Sequence, residues 1–265
     1  MKVTYEDHMG SDLAVVNAAR VSFKKKSDWQ YNVVEHKGYD NEWYEINENP
    51  HLKDSDKSLI KYLARGVTSK DWDALIKEVA ECNCPESVVE ILNHIRTLPR
   101  HWSPFANGGT IKLHIKAPIF VARQLFKHQA GFNPPNEVSR RYVTEEPEFY
   151  VPEVWRKAAK DKKQGSLDEK ATFDSWFVND LEIFSPDILM DVCVNYYNML
   201  IEDGVCAEQA RMVLPQSMYT EWVWTGNLYA WATLYNTRTK PDVQRETKEV
   251  AYQIGEIIEP LFPVS

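Results

Sequence analysis

Two neighbouring stretches bring together side chains suited to an anionic, heterocyclic ligand. In Arg123-Gln124-Leu125-Phe126-Lys127-His128-Gln129, Arg123 and Lys127 stand four apart, and so do Gln124 and His128. On a helix each pair shares a face, so the segment would present cations, an amide and an imidazole beside apolar Leu125 and Phe126. A solvated polar face accounts for the same spacing. Gly131-Phe132-Asn133-Pro134-Pro135 reads as a loop. Asn136-Glu137-Val138-Ser139-Arg140-Arg141-Tyr142 then supplies a carboxylate, a hydroxyl and two guanidinium groups in close succession. A hydroxyl and arginine forks are what a phosphate monoester needs, because the fork matches its oxygen geometry. A charged strand or loop with incidental pairs is the plainer alternative.

Three more clusters carry polar groups. In Glu208-Gln209-Ala210-Arg211-Met212-Val213-Leu214-Pro215, Glu208 and Arg211 are three apart, which suffices for a simple surface pair on a helix. Trp222-Val223-Trp224-Thr225-Gly226-Asn227-Leu228-Tyr229 runs on to Thr233 and Asn236-Thr237-Arg238. Aromatics at this density are usually core, but they also make walls for flat rings, with Asn and Tyr as polar contacts. In His101-Trp102-Ser103-Pro104-Phe105, Ser103 would cap a helix that starts at Pro104.

The elements that must position these groups follow from periodicity. Residues 12–22 fit a strand and turn or a short helix. Residues 24–57 fit a loop or hairpin. A helical pattern begins at 58–63, and 85–95 is a clearer helix, with Pro85 in its first turn and Val88, Ile91, Leu92 and Ile95 on one face. Residues 110–116 alternate as a strand, with Ile111, Leu113 and Ile115 inward. Pro118 opens a further helix. Residues 156–170 are charged and read as an exposed insertion or linker. Ser185-Pro186 reads as a helix start, with Ile188, Leu189, Val192, Tyr196, Met199 and Leu200 on one face and Gly204 as the cap. Val250, Ile254, Ile257, Ile258 and Leu261 line a last helix. Both stripes fit core or subunit interface.

The 265 residues suit one large domain or two small ones. The formal net charge is −8, which argues against a broad surface for duplex nucleic acid, where cations must replace phosphate counterions. A local basic pocket is compatible with it. Cys82, Cys84, Cys193 and Cys206 include a CxC but no second pair at zinc spacing, so no metal is expected. There is no GxGxxG or P-loop, no signal-like N-terminus and no run of membrane-spanning length. The expectation is a soluble, intracellular chain.

In order along the chain, the motifs resemble those of the flavin-dependent thymidylate synthases. Asn17-Ala18-Ala19-Arg20-Val21-Ser22, His101 to Phe105, Lys116-Ala117-Pro118 to Gln124, Lys127-His128-Gln129, Asn136 to Tyr142, Glu208 to Pro215, Tyr219-Thr220, and Trp224-Thr225-Gly226-Asn227 onward to Arg238 all find counterparts. The likeness is firm over 101–142 and 207–246. Two features depart from the family: Lys127 and Gln129 stand where its Arg-His-Arg has arginines, and the spacer before Ser139, at Asn133-Pro134-Pro135, is about two residues longer.

The resemblance implies an α/β (α+β) fold, a mixed sheet with flanking helices of the thymidylate synthase-complementing protein type. It implies one domain over 1–265, with insertions near 24–57, 64–100 and 155–180. It implies a homotetramer with active sites between subunits, FAD as cofactor, and reductive methylation of dUMP to dTMP with methylenetetrahydrofolate and NADPH as co-substrates. Gln124, Lys127, Glu137, Ser139, Arg140, Arg141 and Arg211 would surround dUMP, and Arg238 would favour ionisation at uracil N3. His101, Ser103, Lys127, His128, Gln129, Glu137, Asn227, Tyr229 and Thr233 would line the FAD site. No enzyme nucleophile is required. The setting would be cytoplasmic, or the host cytoplasm for a viral protein. Two rival readings are a catalytically impaired flavin- and nucleotide-binding homologue, suggested by Gln129, and a single-stranded nucleic-acid binder stacking bases on Trp and Tyr, which the acidic charge disfavours.

Overall fold

The computed structural model describes the chain except residues 38, 40–41, 144, 160–165, 173–175, 179–180 and 184–185, and gives only the backbone at 176–178, 181–183 and 186–187. In chain order the elements are β1 (Lys2–Gly10), α1 (Asp12–Arg20), β2 (Gln30–Lys37), β3 (Trp43–His51), α2 (Asp54–Arg65), α3 (Ser69–Glu81), α4 (Pro85–Thr97), α5 (Ser103–Gly108), β4 (Gly109–Pro118), α6 (Ile119–Leu125), β5 (Asn136–Glu137), β6 (Arg156–Ala158), β7 (Ser166–Lys170), β8 (Trp176–Val178), β9 (Leu181–Ile183), α7 (Pro186–Glu202), α8 (Ala207–Ala210), β10 (Tyr219–Asn227), α9 (Leu228–Arg238) and α10 (Arg245–Ile258). They divide into two compact units: Met1–Asp7, Lys112–Gly226 and Ala230–Ile257 form the first, and His8–Ile111, Asn227–Tyr229 and Ile258–Ser265 the second.

The first unit is organised by a four-stranded sheet in the order β1-β4-β10-β5. Alternation decides its faces. Leu113, Ile115 and Ala117 of β4 are buried, as are Trp222 and Trp224 of β10, while Lys112, His114 and Lys116 point to the more open side. Phe132 stacks on Trp224 with centroids 4.0 Å apart and meets Trp231 edge-on at 4.8 Å. A Cβ on Gly226 would lie 2.4 Å from the Phe132 ring, so only glycine lets that ring reach the strand. Trp222, Trp224 and Trp231 of the aromatic run are therefore core. On α10, Val250, Ala251 and Ile254 are buried, and Gln253 Oε1 accepts from Val3 N at 2.9 Å.

In α7 the expected stripe is split. Val194 and Tyr197 are the buried residues, whereas Leu189, Val192, Tyr196 and Met199 are exposed. The stripe is thus not core. Gly204, at φ +84°, ends this helix as expected, with Val205 N donating to Leu200 O. The helix start expected at Ser185 lies outside the described residues. The charged stretch 156–170 holds the antiparallel pair β6–β7.

The second unit is largely helical. Of residues 12–22, Asp12–Arg20 form helix α1, capped by Ser11 with its Oγ accepting from Ala14 N, and a 3-10 turn, Val21–Phe23, follows. The stretch 24–57 contains the β2–β3 hairpin, which leaves Tyr31, Val33, Trp43 and Ile46 exposed. Asp56, fully buried on α2, accepts from the Arg20 guanidinium and from Ser27 Oγ at 3.1 Å. Ser103 does not cap α5: Trp102 occupies the cap position, and Ser103 Oγ accepts from Asn107 Nδ2 at 3.3 Å. No helix among the described residues is long and apolar enough to cross a membrane.

Candidate active site

Within the first unit, β10 and the segment that follows α6 build a cleft of about 1030 Å³. Trp222 pairs with Glu137 and Val223 with Asn136 in register, and Val138 N donates to Glu221 O at 2.9 Å. This edge pairing turns residues 139–141 into the cleft, whose walls include Arg123, Ser139, Arg140, Arg141 and Arg211. Glu137 also lines the cleft, and Thr220 Oγ1 donates to its Oε1 at 2.8 Å.

Ser139 Oγ accepts from Arg141 N at 3.4 Å and from Arg141 Nε at 3.3 Å. With those lone pairs engaged, the Ser139 proton is the group available to an anion. The Arg140 guanidinium donates to Glu145 O. Arg141 also lies 3.9 Å from Glu208, so Glu208 pairs across the cleft with Arg141 and not with Arg211 along its own turn. That releases Arg211, which opens a short 3-10 turn at the end of α8. Arg123 and Lys116 join the lining. Arg123 was singled out in its segment but given no place around dUMP. Lys116, whose protonated form Glu148 favours from 2.7 Å, falls in a family-like motif and was given no role.

A second, smaller cleft of about 660 Å³ in the same unit carries Gln124, Lys127 and Arg238 together with Arg156, Val243 and Gln244. The expected shared helix face of Arg123 with Lys127 and of Gln124 with His128 does not form. Helix α6 stops at Leu125, and His128 N donates to Leu125 O in the turn beyond. The turn sends His128 toward α9 instead: Arg238 Nε donates to His128 Nε2 at 2.9 Å, and Arg238 Nη2 donates to the main-chain O of Gln124. Burial, then the neighbouring guanidinium, pushes the His128 imidazole below its usual range. Burial also lowers Arg238, which has no ion pair among the described residues. A half-buried guanidinium with only neutral acceptors is an unsatisfied cation, and an anionic partner would relieve it.

Arg156 closes one side of this cleft. Its Nη2 donates to Glu246 Oε1 at 3.0 Å and Oε2 at 3.1 Å, and both side chains are largely buried. Tyr150 Oη also donates to Glu246; burial, together with the carboxylates of Glu246 and Glu249, pushes that phenol up to about 12. Arg156 and Gln244 were not anticipated from sequence. Among the expected residues, Gln129 and Thr233 are exposed and line neither cleft.

The second unit has its own cleft, of about 1180 Å³, which carries His101 and Ser103 with Arg20, Lys25, Arg100, Ser22 and Tyr62. Tyr62 stacks with His101 at 5.8 Å, and Trp102 lies 5.3 Å from Tyr229. Cations, hydroxyls and flat rings in one concavity suit a ligand with both phosphates and aromatic rings. Asn227 ends β10 in this unit. The residues expected around one flavin are therefore distributed: His101, Ser103, Asn227 and Tyr229 belong to the second unit, and Lys127, His128, Gln129, Glu137 and Thr233 to the first.

Comparison with known proteins fits this geometry. The family described as thymidylate synthase complementing protein matches residues 5–264. A flavin-dependent thymidylate synthase of Thermus thermophilus is 39% identical over 170 residues, which are 63% of this chain and 58% of that protein. The chain thus aligns with little more than half the length of that relative. One of Ehrlichia ruminantium is 28% identical over 261 residues, covering 98% of this chain and 67% of its own. The crystal structure of a UMP/dUMP methylase, PolB, from Streptomyces cacaoi bound with 5-Br dUMP superposes with a TM-score of 0.61 at 26% identity, over 99% of this chain and 91% of that one. The α/β fold with its central sheet is the one expected. Motif order and a match spanning nearly every residue agree: the chain belongs to the thymidylate synthase complementing protein family.

Proposed function

We propose that this protein is a flavin-dependent thymidylate synthase, which methylates dUMP reductively to dTMP with methylenetetrahydrofolate as one-carbon donor and NADPH as reductant. The observation that carries the reading is the first cleft, which is lined by Ser139 and the guanidinium-bearing Arg123, Arg140, Arg141 and Arg211. That grouping suits a phosphate monoester. Names of relatives and the nucleotide-bound structural neighbour support the choice of a uridine nucleotide.

In this reading Ser139 and the arginines hold the phosphate. Arg238 meets the uracil, where an uncompensated, half-buried cation beside N3 favours loss of its proton. Gln124 and Lys127 share the Arg238 cleft and orient the base. Because the phosphate and base residues line separate clefts of one chain, a homotetramer with sites completed by neighbouring subunits fits the division. The cleft holding Arg20, Lys25, Arg100, Ser103 and Tyr62 fits FAD: its cations suit the pyrophosphate and its rings suit the flat moieties. Bound there, FAD supplies hydride-transfer chemistry. The chain's own residues bind, orient and polarise the substrate, and no side-chain nucleophile is needed. The whole of 1–265 acts as one catalytic domain in a cytoplasmic setting.

The test is direct. The purified protein should show flavin absorbance and form dTMP from dUMP, methylenetetrahydrofolate and NADPH, with UMP assayed in parallel. Arg238→Ala should abolish dTMP formation while flavin stays bound. A wild-type protein that takes up no flavin on reconstitution, or takes it up and forms no product, would overturn the proposal.

A further inference from the structure

We infer that His128 and Gln244 are positioning residues that fix the Arg238 guanidinium from behind and leave its Nη1 to meet the nucleotide base. The inference rests on the reading of Arg238 given above. Arg238 is the last residue of α9. Its Nε is bound to His128 Nε2 at 2.9 Å and its Nη2 to Gln124 O. The guanidinium is planar, so two fixed nitrogens set the direction of the third. Gln124 is itself tied from the far side, with Nε2 donating to Gln244 Oε1 at 2.6 Å. Gln244 sits in the turn just before α10 and lines the same cleft as Arg238.

The choice of acceptors is the telling feature. A carboxylate at either place would hold the arginine as firmly but would neutralise it. An imidazole nitrogen and a main-chain oxygen orient the cation and leave its charge for the ligand. For this, His128 Nε2 must offer a lone pair, so the ring must be neutral with its proton on Nδ1. A protonated ring would lose the acceptor and place a cation against Arg238. Among the described residues the charge that acts on His128 is that of Arg238 on α9; Lys127 and Arg156 line the Arg238 cleft, and Glu246 of α10 neutralises Arg156. None is a carboxylate free to stabilise a protonated imidazole. The ordinary imidazole value is about 6.5, and the structure moves His128 below it.

The experiment measures dUMP affinity by calorimetry and dTMP formation across pH for the flavin-loaded enzyme. It compares the wild type with His128→Ala, His128→Gln, Gln244→Leu, Gln244→Glu and Arg238→Ala. His128→Ala and Gln244→Leu should each lose at least tenfold in kcat. Gln244→Glu keeps the acceptor for Gln124 but sets a carboxylate in the Arg238 cleft, so it should hold the arginine in place without recovering turnover. His128→Gln replaces the imidazole by a neutral acceptor that does not titrate. The wild type should show an acid limb below the usual imidazole range, and His128→Gln should retain turnover and lack that limb. An acid limb unchanged in His128→Gln, or wild-type turnover and affinity in both His128→Ala and Gln244→Leu, would overturn the inference. Wild-type behaviour of Arg238→Ala would instead sink the reading of Arg238 itself.

Discussion

Ser139 shows how much of a binding site can rest on one hydroxyl. Its oxygen is occupied by two N–H groups of Arg141, so its proton points to whatever enters the cleft, and the same contacts hold Arg141 in place. Ser139→Ala should weaken dUMP binding by about 1–2 kcal/mol, the worth of one hydrogen bond to a charged group. Calorimetric titration reads this directly, and an unchanged affinity would remove Ser139 from the phosphate site. Arg141 should tolerate replacement less well, since its fork meets both Ser139 and Glu208. At this scale the sequence was informative. Ser139, Arg140 and Arg141, which line one cleft, were legible as candidate anion ligands because residue type suggests that chemistry, and Arg211 only through the family resemblance. Gln244 and Arg156 were not, because a glutamine or arginine in a polar stretch acquires meaning only from the residue folded against it.

Among the elements, those defined by strong periodicity were readable and the turns were not. Strand β4 announces itself by alternation, and α4 by its proline and its apolar spacing. The segment after α6 misleads, because Arg123, Gln124, Lys127 and His128 have helical spacing while the helix stops at Leu125. What ends it is tertiary: Phe126 packs edge-on against Trp222 and Trp224, and His128 is drawn to Arg238. Local pattern cannot carry such information. The aromatic run of β10 was ambiguous for a related reason, since density of rings does not say which side of a sheet they face. Gly226 decides part of it by letting Phe132 close over the strand. Gly226→Ala should destabilise the fold by about 1–3 kcal/mol through overpacking, measured by chemical denaturation. A neutral result would mean that the Phe132 ring can move aside freely.

Across the molecule, two compact units share the residues that the family resemblance would place around one flavin, and two clefts of one unit share those for the nucleotide. The association state bears directly on that division. The proposed homotetramer should scatter light with a mass four times the 30.8 kDa of the chain. A species of chain mass that still forms dTMP would show that one chain suffices. The exposed α7 residues Leu189, Val192, Tyr196 and Met199 could be read from sequence as an apolar stripe, but not as an outward-facing one. Helical periodicity defines a face and does not say whether its partner lies in the same chain.

The pairing of Arg156 with Glu246 makes the β6–β7 pair hard to discard. Glu246 lies in the first turn of α10, two residues after Gln244, and its carboxylate is buried against a guanidinium supplied by β6. Stripping away Arg156 would strand a buried charge, at a cost of about 3–5 kcal/mol. Arg156→Met should therefore lower the melting temperature sharply, and Glu246→Gln added to it should restore much of the loss. If the double variant melts no higher than the single one, the two positions are not energetically linked. If they are, any shortening of the chain at the β6–β7 pair is a coupled change: the pair can be trimmed only after, or together with, the carboxylate it shields.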